Sequence, residues 1–160
     1  MFRFVTFSRR IQYSGLETMN SRFSLAVHLL CLMAQTPDDR LTSEYMAIST
    51  GTNAVVVRRL LATLRRAGLV TARRAGGGGW QLARPATEVS LSAVHQAVVQ
   101  PETPRMHRNE PHPDCPVGRE VRHALSGIYR LADEAIDREL EPHTIAALLD
   151  EILSQNPSAA

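Results

Sequence analysis

The segment from residue 52 to residue 84 constrains the fold more than any other part of this 160-residue chain. It begins with Thr52 and Asn53, which are both good helix caps, and continues as the apolar-periodic stretch AVVVRRLLATLRRA, which ends at Gly68. Two short β-type runs follow, LVTA and WQLA, on either side of the basic, glycine-rich turn RRAGGGG. The segment therefore predicts a helix followed by a basic hairpin.

Further helices are predicted on both sides of this segment. Upstream, SRFSLAVHLLCLMA predicts a core helix with Ser21 as its N-cap, and a second helix, capped by Thr42, is expected to bury the run YMAI. Gly51 ends that second helix, and a fourth helix is predicted at residues 90–98. The order helix, turn, helix, basic hairpin is typical of a winged helix-turn-helix, so the predicted fold is mainly α with a small β-hairpin.

The C-terminal third is predicted to be a long helix behind a loop. Residues 101–116 hold five prolines, which favours a loop, and a helix is predicted from Val117 to Leu140. Apolar residues recur along this helix at spacings of 4, 3, 4 and 3: Val121, Leu125, Ile128, Ala132 and Ala135. Such a seam suits packing against the same helix of a second copy, and the alternative is packing against its own domain.

Four regions follow from these patterns. They are a flexible N-terminal extension at 1–18, a winged helix-turn-helix domain at 19–100, a proline-rich loop at 101–116 and a helical dimerisation region at 117–160.

Charge divides the chain into two halves of opposite sign. Residues 1–84 hold 12 arginines and 4 acidic residues, a net charge of +8, whereas residues 85–160 hold 6 arginines and 12 acidic residues, a net charge of −6. A basic first half indicates a polyanionic partner. Arginine suits this role because its planar guanidinium group binds phosphate and guanine.

The third helix and the hairpin supply the candidate DNA contacts. A helix can enter the major groove and present the side chains of its leading end to the base edges, while a basic wing lies against the backbone or the minor groove. On this basis the predicted contact residues are Thr52, Asn53, Val55, Val56, Arg58 and Arg59 in the helix, and Arg73, Arg74, Gly76, Gly77 and Gly78 in the wing.

The stretches NSRFSLAVHLL, LTSEYMAISTGTNAVVVRRLLATLRRAGLV, RRAGGGGWQLARP and CPVG resemble the Rrf2 family of bacterial winged-helix regulators, the relatives of IscR and NsrR. Within that family the chain is most similar to the YwnA-like branch. The resemblance covers about residues 19–140. It implies a cytoplasmic, homodimeric transcriptional regulator, expected to be a repressor, that binds double-stranded DNA at a palindromic operator. It also carries over Thr52, Asn53, Arg58, Arg59, Arg73, Arg74 and the wing glycines as DNA-contacting positions.

The cysteines differ from those of the cluster-binding members of this family. Those members carry three cysteines in the loop before the long helix, whereas this loop holds only Cys115, and the other cysteine, Cys31, lies within the first helix. We therefore expect no iron–sulfur cluster and no other cofactor. Cys115 precedes a helix N-terminus, a position that favours thiol reactivity, so a redox response through Cys115, with Cys31 as a possible disulfide partner, is one hypothesis. An inert, packed Cys115 is the other.

Other classes of function find less support in the sequence. The glycine run lacks the flanking residues of a phosphate-binding loop, so an enzyme is not expected. His107, His112, Cys115 and His123 match no standard zinc spacing, and no apolar run is long enough to span a membrane. A winged-helix module that binds protein remains the alternative, and a small-molecule or redox effector is compatible with either reading.

Overall fold

The computed structural model describes residues 17–73, 78–98, 112 and 114–155. In these ranges the helices are α1 (Glu17–Gln35), α2 (Ser43–Ser49), α3 (Ala54–Arg66), α4 (Leu91–Val98), α5 (Pro116–Leu140) and α6 (Ile145–Gln155). Two strands, β1 (Val70–Arg73) and β2 (Gly79–Leu82), form an antiparallel hairpin, and a short 3-10 turn covers Ala86–Glu88. The predicted class, mainly helical with a small hairpin, is confirmed. None of the described helices is both long and apolar enough to cross a bilayer.

A single apolar core joins the winged helix-turn-helix to the last helix. Its fully buried members come from every helix except α5 and include Leu29, Met46, Leu61, Val94 and Ile145. Helix α4 packs against both α1 and α3, and α6 packs against α1. Helix α3 is therefore supported by α4 on its buried side.

Local capping sets where the helices begin. The Thr42 hydroxyl accepts a hydrogen bond from the Tyr45 amide at 3.1 Å, which confirms Thr42 as the N-cap of α2. The expectation for Ser21 is wrong, because α1 already begins at Glu17 and Ser21 lies within the helix. The predicted boundary between residues 18 and 19 accordingly falls inside the first turn of α1, and residues 1–16 lie outside the described part of the chain.

The hairpin is joined to the α1–α2 loop by a further backbone pair. Leu41 and Trp80 exchange two hydrogen bonds, at 3.0 and 2.9 Å, so the loop before α2 lies alongside β2. This close approach requires a glycine at position 79, since a Cβ atom there would lie 2.9 Å from the Arg40 Cβ and 3.0 Å from its carbonyl carbon and oxygen. The Arg40 Nε also donates to Gln81 Oε1 at 3.0 Å.

Gly79→Ala is therefore expected to destabilise the fold by about 1–3 kcal/mol, because the added methyl overlaps backbone as well as side-chain atoms of Arg40. The matched control is Gly127→Ala, at an exposed helical glycine with nothing within 4 Å of an added Cβ. That change is expected to be neutral or to stabilise by up to about 1 kcal/mol. Chemical denaturation of both variants at equal protein concentration measures this, and equal stability of Gly79→Ala and the parent would contradict it.

Candidate nucleic-acid interface

Two glycines with left-handed backbone conformation define the ends of the turn and of α3. Gly51 has a φ of 63°, and the bonds Thr52 N–H to Ala47 O (2.9 Å) and Gly51 N–H to Ile48 O (3.2 Å) close the end of α2 as a Schellman motif. Gly68, with a φ of 71°, ends α3 through an equivalent pair of bonds. The first turn directs the chain into α3 and the second directs it into β1.

Asn53 starts the recognition helix. Its Oδ1 accepts a hydrogen bond from the Val55 amide at 2.7 Å, which confirms it as the N-cap of α3. The amide group is exposed, so its nitrogen can still donate to a base or a phosphate. Thr52 is partly buried in the turn, where its backbone N–H is already bonded to α2. Of the two residues, Asn53 is the better placed to contact a ligand.

The outward face of α3 is set by its buried face. The apolar periodicity of α3 is reflected in its burial, since the core contains Val57, Leu60, Leu61 and Leu64. Val55 and Arg59 are four residues apart and lie on the opposite side of the helix, and Arg66 extends the same side by two turns. Val55 and Val56 are each 46% exposed. The helix thus presents an apolar leading end followed by guanidinium groups.

Arg58 lies on the flank of this face and is paired within the protein. Its Nη1 lies 2.7 Å from the Glu44 Oε1 of α2. The two side chains are 51% and 64% exposed, so solvent screens the pair and it contributes little to stability. The sequence analysis did not predict this ion pair, and Arg58 stays a candidate DNA contact because a phosphate could displace Glu44 at small cost.

The wing is only partly described. Arg73 is the last residue of β1 and pairs across the hairpin with Gly79, and Gly78 lies just before β2. The predicted contact residues Arg74, Gly76 and Gly77 lie outside the described residues. A groove of about 420 Å³ separates the hairpin from the start of α2. Arg65 and Trp80 line this groove, so a further cation of α3 faces the wing.

Helix α2 exposes apolar side chains that the sequence pattern placed inside. Tyr45 is 55% exposed and Ile48 is 82% exposed, whereas Met46 and Ala47 are buried. The expectation that the whole run YMAI is buried is therefore wrong at its two ends. A helix of seven residues makes fewer than two turns, which is too short for periodicity to select one face.

The predicted seam of α5 faces away from the rest of the described chain. Ile128 is 60% exposed, Ala132 and Ala135 are exposed, and Val121 and Leu125 are partly buried. Val117 and Leu131, at 70% and 56% exposure, widen the same side of the helix. Asp137, on the other side, contacts α4. Three of the five seam residues are thus exposed, which leaves this part of the seam available to a second copy.

The two cysteines have different surroundings. Cys31 is buried in the core, and this burial raises the pKa of its thiol to about 11. It therefore stays protonated near neutral pH, which makes it a poor partner for disulfide exchange. Cys115 is the N-cap of α5, where its Sγ accepts from the Gly118 amide at 3.3 Å. Both thiols are free.

The fold and the exposed face of α3 define a winged-helix, DNA-binding transcriptional regulator. Residues 19–151 match the Rrf2 family, described as iron-dependent transcriptional regulators, and the chain belongs to that family. It is 35% identical over 135 residues to the HTH-type transcriptional regulator YwnA of Bacillus subtilis, with 84% of this chain and 98% of YwnA covered.

Solved structures agree with this family and fold. A crystal structure described as that of a DNA-binding protein matches with a TM-score of 0.64 and 32% identity, covering 81% of this chain and 99% of that one. A transcriptional regulator from Lactobacillus plantarum has a TM-score of 0.71 at 20% identity, over 87% of this chain and 98% of that one. Because its identity is only 20%, this second structure supports the fold alone.

The cysteine environments predict selective labelling. Iodoacetamide near neutral pH should modify Cys115 in the folded protein and leave Cys31 unmodified until the chain is unfolded, because only thiolates react. Mass spectrometry of peptides before and after denaturation measures this, with Cys115→Ser as the control that should remove the native-state label. Rapid labelling of Cys31 in the folded protein would contradict the assignment.

Proposed function

We propose that this chain is a sequence-specific repressor that binds a palindromic operator as a homodimer, with α3 in the major groove and the hairpin against the flanking backbone. The observation that carries the proposal is the outward face of α3, where Val55 and Arg59 stand opposite the buried stripe. Valine can contact a thymine methyl, and arginine can bind guanine or phosphate. Acting on chromosomal DNA, such a regulator works in the cytoplasm.

Charge favours DNA over a protein as the ligand of this face. A winged helix that binds protein would be expected to continue the apolar surface of Val55 and Val56 along α3, or to carry acidic residues there. Arg59, Arg65 and Arg66 are instead exposed along it, and the first half of the chain carries a net charge of +8. The regulator family has no need of a catalytic centre for this function, and we assign none.

Dimerisation follows from the exposed apolar side of α5. If α5 packed against its own copy, the exposed side chains of Ile128 and Leu131 would be buried away from water. Fully burying one such side chain stabilises an apolar contact by about 1.5–3 kcal/mol. A twofold axis through α5 would relate two copies of α3, which then read half-sites separated by about 34 Å or a multiple of it.

The residues of this chain do not fit an iron–sulfur cluster. The sequence holds only two cysteines, one of them buried with a raised thiol pKa and the other capping α5. A cluster requires more thiolates than these. We therefore propose that this regulator works without a cluster, and that any response to oxidants acts through Cys115 rather than through a Cys31–Cys115 disulfide.

Arg59→Ala is expected to weaken binding to a duplex recovered by selection from a random library by about 1–3 kcal/mol. The salt dependence of the affinity should also become shallower if Arg59 neutralises a phosphate. The matched control is Arg130→Ala, which removes an exposed arginine of α5, 67% exposed, and should leave the affinity unchanged. Fluorescence anisotropy over a range of salt concentrations measures both effects. Equal losses for the two variants, or failure of the parent to select any duplex, would contradict the proposal.

Ile128→Asp is expected to convert the dimer into a monomer at micromolar concentration, because the twofold axis places two carboxylates in one apolar contact. Ser126→Asp adds the same charge to an exposed position on the other side of α5 and serves as the control. Light scattering after size-exclusion chromatography gives the mass of each variant. A dimer that survives Ile128→Asp, or a monomeric parent, would place the interface elsewhere or remove it.

A further inference from the structure

Helix α5 is long but buries little of its surface against the rest of the described chain. None of its described side chains is fully buried, although it spans 25 residues. Within the described chain its packing is concentrated on α4. Its last two turns and the residue after them make a set of polar contacts with α4 and the residue before it.

Asp137 is the centre of these contacts. Its Oδ1 lies 2.9 Å from the Nδ1 of His95, and its Oδ2 accepts from the Nε2 of Gln96 at 2.9 Å, so both carboxylate oxygens are engaged by α4. One turn later, the Oε2 of Glu141 accepts from the Ser90 hydroxyl at 3.0 Å. We call Asp137, His95 and Gln96 the α4–α5 clamp.

The His95 ring is itself held in place. It is mostly buried, with 13% of its side chain exposed, and it stacks edge to face on Phe23 of α1 at a centroid distance of 5.7 Å. The carboxylate of Asp137 is thereby connected to α1 as well as to α4.

The clamp joins α5, which carries the proposed dimer interface, to α4 of the DNA-binding module. Helix α4 packs directly on the recognition helix α3, and Asp137 projects from the side of α5 opposite to Ile128 and the exposed seam. In the described part of the chain, α4 is thus the main connection between α5 and α3. Two hydrogen bonds to one carboxylate restrict the rotation of α5 about its axis more than an apolar contact does, because hydrogen bonds are directional.

We infer that Asp137, held by His95 and Gln96, is a positioning residue that sets the angle between α5 and the DNA-binding module and so determines which half-site spacing the dimer accepts. This inference rests on the proposed function. It assigns no contact with DNA to Asp137 itself.

The experiment is a selection from a random duplex library, run in parallel with the parent, Asp137→Ala and Asp133→Ala. Asp133 is an exposed acidic residue of the same helix and is the matched control for charge. The parent and Asp133→Ala should recover one half-site spacing, and Asp137→Ala should recover several. Gln96→Ala, which removes one of the two bonds to Asp137 together with a long bond to Ser92, should give a smaller spread.

Affinities for the selected duplex and for a single half-site separate positioning from folding. For Asp137→Ala we expect at least a tenfold loss on the full palindrome and less than a twofold change on the half-site. A single unchanged spacing with full affinity, or equal losses on both duplexes, would overturn the inference while leaving the proposed function intact. If the parent recovers no duplex, the proposed function fails and the inference fails with it.

Discussion

Burial of one side of α3 is the constraint on which the rest of the structure depends. Val57, Leu60 and Leu61 cannot leave the core without exposing a large apolar area, so the residues between them are forced outward. The two left-handed glycines fix where that helix starts and ends, and α4 supports it from behind. The proposed DNA-binding face is thus a consequence of how the core is packed rather than a separately built feature.

Features that depend on neighbouring residues could be predicted from the sequence. Thr42 and Asn53 are of residue types that are preferred at helix N-caps. Gly51 and Gly68 stand at helix ends where the backbone has a left-handed conformation, which glycine adopts readily. The long apolar-periodic stretch of α3 also gave the correct buried face, because the helix makes more than three turns. The order of helices and hairpin also followed from these local patterns, and the family resemblance agreed with it.

Features that depend on the packing angle between elements could not be predicted. The ion pair of Arg58 with Glu44 joins residues 14 positions apart on two helices, and the bond of His95 with Asp137 spans 42 positions. Neither has a local signal, since charged side chains on helix faces are usually solvated. The length of α1 was missed for a different reason: its first turn, at Glu17, carries no marked cap and lies outside the apolar stretch.

The most direct test of the central claim follows the valine methyl groups of the protein by NMR during titration with the selected duplex. The account predicts that Val55 and Val56, at the exposed leading end of α3, shift most, while buried Val94 of α4 and exposed Val117 of α5 shift little. Val117 controls for exposure and Val94 for burial. Large shifts at Val117 with unchanged Val55 and Val56 would show that DNA binds elsewhere, and the account would be wrong.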